Sequence, residues 1–144
     1  MSPTKQVKPV PPVVNRMWSY LICRGMAPRS MHLLTVCGRK TGKPHTTVVA
    51  LVAEAGEQFL VAPYGEVNWV QNARAAQHVT LRHGHQMWSA RPEELPPNEA
   101  APVLKKYLAE HIVTRPYFEV KPEAPVELFE QEARRHPVFL LHRN

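Results

Sequence analysis

Gly38, Arg39, Lys40, Thr41, Gly42, Lys43 and Pro44 put three cations on one short turn with a glycine near each end. Such a turn can hold an anion. Glycines at Gly38 and Gly42 permit positive φ and an exposed row of amide N–H groups, while Arg39 and Lys43 add charged donors for phosphate or carboxylate oxygens. The same composition also suits a solvated hairpin turn, and the local pattern leaves both readings open. Tyr64, beside Gly65, has a similar double character: its hydroxyl could bond a substrate oxygen or simply face water. Trp69 and Asn72 stand three apart, so on a helix they share a face and could approach one ligand. Trp69 reads as a core anchor, Asn72 as the ligand-facing member.

Other chemistries find less support. Eight histidines are present, but the nearest pair, His83 and His85, flanks Gly84 with no acidic or cysteine residue spaced to complete a tetrahedral set, so no metal site is expected. Neither cysteine nor any serine lies in a Gly-x-Ser-x-Gly setting, and the glycine motifs of the common nucleotide folds are missing. The net charge of +6 favours an anionic partner: nucleic acid, an acidic membrane surface or a multiply charged small molecule. Trp18, Trp69 and Trp88 fall in separate elements, which argues against a base-stacking platform and disfavours nucleic acid. Cys23 and Cys37, in unrelated contexts, fit two buried free thiols in a reducing cytoplasm.

The 144 residues suffice for one domain with its own core, and 15 prolines predict many element boundaries. Residues 1–12, with Lys5, Lys8 and four prolines, read as a flexible extended tail without the apolar core of a signal peptide; residues 13–144 read as the domain. No apolar stretch approaches bilayer-spanning length, and a cytoplasmic location is expected.

From Val13 to about Arg24, the residues Val13, Val14, Met17, Trp18, Leu21 and Ile22 recur at helical spacing, and Gly25 and Pro28 stop the run. Its stripe packs on a sheet, or, with Arg16 and Arg24, touches a membrane; packing is the favoured reading. Strands are predicted at Met31–Cys37, Thr46–Ala53, Gln58–Ala62, Val79–His83, Gln86–Arg91 and Pro137–Leu141. Helices are predicted at Val67–Ala76, from an Asn98 N-cap to about His111 with Pro102 inside, and around Val126–Ala133. Strands in series with peripheral helices argue for a mainly β, α+β domain in which about six antiparallel strands form a closed or nearly closed barrel.

The strand Leu33, Leu34, Thr35, the loop Gly38–Pro44, the strand Phe59–Ala62 and the helix run Trp69, Val70, Gln71, Asn72 together resemble the deazaflavin-dependent nitroreductase family of actinobacteria. That resemblance spans roughly Met31–Arg91, with a weaker echo through Tyr117, Phe118 and the last strand. It implies a split β-barrel of the FMN-binding kind and coenzyme F420, a deazaflavin bearing a phosphodiester and a chain of glutamates. By the same resemblance Arg39, Lys40 and Thr41, joined by Lys43, hold the phosphate-bearing tail. His45, Thr46, Thr47, Val48 and Val49 follow the cofactor along the next strand. Ala62, Pro63, Tyr64, Gly65, Asn68, Trp69 and Asn72 flank the ring. Tyr117 and Phe118 are the aromatic wall of the substrate pocket, or else they anchor a proline-rich loop on the core.

Two departures stand out. His45 occupies the place after the proline where the family usually has arginine, and neutral imidazole carries no charge there. The connection Pro63–Trp69 is shorter than in the best-known branch and lacks its lysine.

The resulting expectation is a reductase that passes hydride from reduced F420 to a small electron-poor acceptor such as a quinone, nitro compound or activated alkene. The carrier supplies the chemistry, which explains why no obligatory catalytic acid stands out; Tyr64, Tyr117 or solvent could give the proton. FMN on the same barrel, or a non-catalytic module for an acidic ligand, are the rival readings. A homodimer is implied by the resemblance.

Overall fold

Side-chain alternation decides the architecture. The computed structural model describes residues 12–25 and 30–144. In β1 (Met31–Cys37), Leu34 and Val36 turn to one side and Leu33 to the other; in β2 (Pro44–Glu54), Val49 and Leu51 join the first side while Val52 faces away. β3 (Glu57–Val61), β4 (Val79–His83), β5 (Gln86–Glu94) and β6 (Val138–Arg143) add Leu60, Leu81, Ala90, Phe139 and Leu141 to the same inward set. A period-2 pattern with one apolar face closes most economically into a barrel, which leaves no bare edge.

All pairings are antiparallel, and the order β1-β2-β3-β6-β5-β4 closes because β1 bonds both β2 and β4. Leu34 lies opposite Thr47 on one side and Leu81 on the other; Leu60 lies opposite Phe139. The six-stranded barrel expected from the strand runs is therefore present, with four α-helices among the described residues.

α2 (Asn68–Ala76) plugs one barrel end by inserting Val70 and Ala73, and it stops where Gln77 turns left-handed and returns its amide to Ala73 O at 2.9 Å. α3 (Pro97–Glu110) and α4 (Val126–Ala133) cover the outer face through Leu104, Tyr107, Leu108 and Phe129, packed on Val52, Val61 and Val138. α1 (Pro12–Cys23) rests on β1 and β2 through Ile22, beside Leu33 and Val48.

Several boundaries move for visible reasons. β5 runs past Arg91 through Pro92. Leu95 N–H donates to Val138 O and Asn144 N–H to Ser89 O, so odd-numbered β5 residues face β6. The donorless nitrogen of Pro92 then faces the side where β4 has already ended, opposite Ala90. α3 begins at Pro97 rather than behind an Asn98 cap; proline suits a first helical position, whose N–H has no intrahelical partner. Pro102 is tolerated within it. On α1, Met17 is 54% exposed, so it does not belong to a packed stripe. The side chains of Val13, Val14 and Trp18, the tail before Pro12 and the stop at Pro28 lie outside the described residues. Cys23 is half-buried and Cys37 exposed, which corrects the expectation of two buried thiols.

Candidate functional site

The cationic turn is tied to the barrel plug by a single amide. Asn72, 5% exposed on α2, accepts through Oδ1 from the Arg39 backbone N–H at 3.1 Å and from Arg39 Nη1 at 2.7 Å. Within the turn, Gly38 N–H donates to Lys43 O at 2.8 Å, Gly42 N–H to Gly38 O at 2.9 Å, and Lys43 N–H to Thr41 Oγ1 at 3.3 Å. The hairpin is thus closed by its own backbone and oriented by α2. A turn that was merely solvated has no need of a buried amide from another element.

The glycines serve differently. Gly42 has φ +72° and open space around it, whereas Gly38 is not in the positive-φ region. A Cβ at Gly38 meets His45 Nε2 at 2.9 Å, so its role is close approach to the imidazole.

Arg39, Lys40 and Lys43 are exposed, and among the described residues no carboxylate pairs with any of them. Arg74 on the same helix is different. Glu94 and Glu66 both bind its guanidinium and raise its pKa, so its charge is already spent on the protein. The turn therefore presents three cations without a carboxylate partner.

The residues after the turn divide by strand alternation. Thr46 is exposed, and its hydroxyl meets that of Thr35 at 2.9 Å across the pair. His45 is exposed and Thr47 partly so. Val48 packs beside Ile22 and Leu33 under α1, and Val49 is barrel core at 7% exposure. Ala62 is wholly buried in that core. Val49 and Ala62 hence offer no side-chain surface to a ligand; only their backbones and neighbours could. The two faces of the strand thus give the residues after the turn different exposure.

Beyond β3, Pro63 and Tyr64 are half-buried, and Gly65 has φ +86° in a place where a Cβ meets Arg135 O at 3.0 Å. Asn68 is exposed at the start of α2. Trp69 packs against the barrel core, 6.1 Å from the Phe139 ring, as the anchor expected of it.

The Tyr64 and Tyr117 rings meet edge-to-face at 4.8 Å. Tyr117 closes a 3-10 turn, Ile112–Tyr117, and is half-buried. Phe118 turns inward at 7% exposure and stacks on His136 at 4.1 Å, so it anchors the loop on the core, while Tyr117 stays half-buried against Tyr64. Burial raises the Tyr64 pKa above its ordinary value, and the Tyr117 phenol beside it adds to the shift.

Tyr107 lies below this pair. Burial pushes it up to about 12, a hydrogen bond with Thr114 pulls the other way, and Tyr64 adds to the rise. Below the ordinary value of 10.0 the phenol is protonated whether the chain is folded or not. Above it, the unfolded chain loses a proton that the folded chain keeps. Stability should therefore fall as pH rises, by about 1.4 kcal/mol per pH unit from this group, until the folded phenol also ionises. Denaturant midpoints across that alkaline window should fall less steeply for Tyr107→Phe; an unaltered slope contradicts the assignment.

Sequence reasoning missed Glu132, Arg135 and His136. They read as part of an acidic surface helix and its end, yet Glu132 is 1% and His136 3% exposed. The available signal was spacing: a carboxylate followed three and four places later by Arg and His on one helical face.

A cleft of about 440 Å³ opens elsewhere, among Glu54, Glu57, Glu99, Phe59, Leu95 and Leu140. Its three carboxylates repel a polyanion. It lies at the other end of β2, about 33 Å from the cationic turn at extended-strand spacing. Among the described residues no cluster of three metal-ligating side chains forms, and no helix is long and apolar enough to cross a membrane.

Comparison with known proteins adds three findings. The profile of the F420H(2)-dependent quinone reductase family matches residues 20–120. Among solved structures, the chain is similar to a protein described as a domain-swapped dimer, with 19% identity and a TM-score of 0.58 over 88% of this chain and 95% of that one. It is also similar to an F420-H2 dependent reductase, FDR-A, with 22% identity and a TM-score of 0.53 over 79% of this chain and 95% of that one. A protein of unknown function from Agrobacterium tumefaciens str. C58 aligns at 14% identity and a TM-score of 0.61 over 95% of this chain and 57% of that one. No curated protein matches significantly. At such identities the structural likenesses establish the split-barrel fold.

Proposed function

The chain belongs to the F420H(2)-dependent quinone reductase family, and from that premise we propose that it binds reduced F420 by its cationic turn and reduces a small quinone-like acceptor beside Tyr64 and Tyr117. The observation that carries this reading is the bond pair from Arg39 to buried Asn72, which ties the turn bearing three unpaired cations to α2.

The residues present suit the cofactor. Its phosphodiester and glutamates need several cationic donors and room for close approach, and the turn offers Arg39, Lys40, Lys43 and the uncrowded Gly42. The N–H groups of Gly38, Arg39, Gly42 and Lys43 already donate within the protein, so the side chains supply the donors. Thr46 and Thr35 supply hydroxyls on the strand face next to it. When bound, the deazaflavin supplies the hydride. The protein's own tasks are to orient the acceptor, keep water out and deliver a proton to the reduced oxygen. For the last of these the reading assigns Tyr64, a half-buried phenol that is protonated at neutral pH and meets Tyr117 edge-to-face.

The direct test is turnover. Reduced F420 mixed with menadione should be reoxidised in the presence of the protein and not with a heat-denatured sample, and FMN should bind more weakly in a fluorescence titration. Tight FMN binding with no deazaflavin turnover would favour the flavin enzyme instead. We further place the protein in the cytoplasm as a homodimer: the exposed thiol of Cys37 suits a reducing compartment, and the structural neighbour described as a domain-swapped dimer supports pairing. Light scattering that finds only a monomer at assay concentration removes the dimer.

A further inference from the structure

The two tyrosines come from distant parts of the chain, and one junction holds both. That junction is the end of α4 and its exit into β6, residues 132–137. On one side it touches the Tyr64 segment: Ala62 N–H donates to Pro137 O at 2.9 Å, and the Arg135 carbonyl lies where a Cβ on Gly65 would meet it at 3.0 Å. On the other side it grips the Tyr117 segment three times. Glu132 Oε1 accepts from the Glu119 backbone N–H at 2.9 Å, Arg135 Nη1 pairs with the Glu119 carboxylate at 2.8 Å, and the His136 ring stacks under Phe118 at 4.1 Å.

Glu132 is the centre of this arrangement. Its Oε1 also accepts from Arg135 Nη2 at 2.9 Å, and its Oε2 lies 3.4 Å from His136 Nε2, with the whole residue 1% exposed. A buried carboxylate is costly to the fold unless it is bonded. Here it is bonded to the segment that carries Tyr117, not to the scaffold alone. Beyond that contact, Oε2 and both ring nitrogens of His136 lack a hydrogen bond of good geometry. A carboxylate serving only packing has no reason to be placed against the one backbone amide that follows the aromatic pair.

We propose that Glu132 is a positioning residue: by binding the Glu119 amide it sets the place of Tyr117 opposite Tyr64, and so determines how the acceptor binds. This rests on the reductase reading given above for its functional half, and on geometry alone for its structural half.

The two halves are separable by experiment. In Glu132→Ala, hydrogen exchange in the ligand-free protein should accelerate at the Glu119 amide by about a hundred-fold or more, while the barrel strands keep their protection. With reduced F420 and menadione, the KM for menadione should rise about ten-fold, with kcat and the Kd for F420 changed by no more than about two-fold. Glu132→Gln retains an oxygen for the Glu119 N–H and should recover most of the KM. Where Glu132→Ala does not fold, Glu119→Ala removes the carboxylate that pairs with Arg135 while the backbone N–H still reaches Glu132, and it should raise the menadione KM about three-fold. Unchanged exchange at Glu119 overturns the positioning role. Accelerated exchange with an unchanged menadione KM overturns its link to the acceptor. Equal loss of F420 affinity, menadione KM and stability in both Ala and Gln variants marks a general structural role and also overturns it. If the wild-type protein does not turn over reduced F420 at all, the reductase reading falls by itself, and the exchange result still decides whether Glu132 holds the segment.

Discussion

Replacing Arg39 and Lys40 together by alanine should weaken F420 binding roughly a hundred-fold, about 3 kcal/mol, while the protein unfolds at nearly the same denaturant concentration. The two side chains contribute separately. Each side chain gives a charge-assisted bond to a phosphate or carboxylate oxygen, and both are exposed, so neither supports the core. Arg39 loses something more: its Nη1 bond to Asn72 helps hold the turn against α2, and the backbone N–H bond to the same oxygen remains in the variant. The salt dependence of binding should also become shallower, because fewer counterions are exchanged. Isothermal titration at two ionic strengths reads both effects. An unchanged Kd moves the anion site away from this turn.

The largest effect on stability should come from Phe139→Ala, which ought to cost about 3–5 kcal/mol out of a total of about 5–15. Phe139 is 1% exposed, lies opposite Leu60 and Glu94 in the barrel wall, and carries the Trp69 ring of α2 at 6.1 Å. Removing it empties the space under the helix that also presents Asn72. Chemical denaturation should show a single transition at a much lower midpoint. F420 affinity, measured where the variant is still folded, should fall as well, since the Arg39 tether loses its rigid base. A loss below about 1 kcal/mol means that the barrel collapses around the gap or that Trp69 is held by other contacts.

Much of this fold was legible because the barrel strands obey a period of two. Met31–Cys37 and Val79–His83 stand where their β-branched and apolar runs placed them. What misled was local chemistry answered by distant partners. Pro92 looked like a strand end until the early finish of β4 removed the need for its N–H. Asn98 looked like a cap, yet Pro97 starts the helix without one. The site divides in the same way. The cationic turn is written in seven consecutive residues, so its chemistry could be read directly. The role of Asn72 needed the fold, because its partner Arg39 is 33 residues away in sequence. Tyr64 and Tyr117 meet only after the junction at 132–137 draws two segments together. Glu132 was harder to see: its spacing to Arg135 and His136 marks one helical face, but only the fold shows that this face turns inward.

The proposed grip of the turn on the polyanionic tail of the deazaflavin is tested by comparing the Kd of F420 with that of the same deazaflavin ring stripped of its phosphodiester and glutamates. The stripped ring should bind about a hundred-fold more weakly, and high salt should bring the two affinities together. Equal affinities at low salt would place recognition in the ring alone and contradict the role given to Arg39, Lys40 and Lys43.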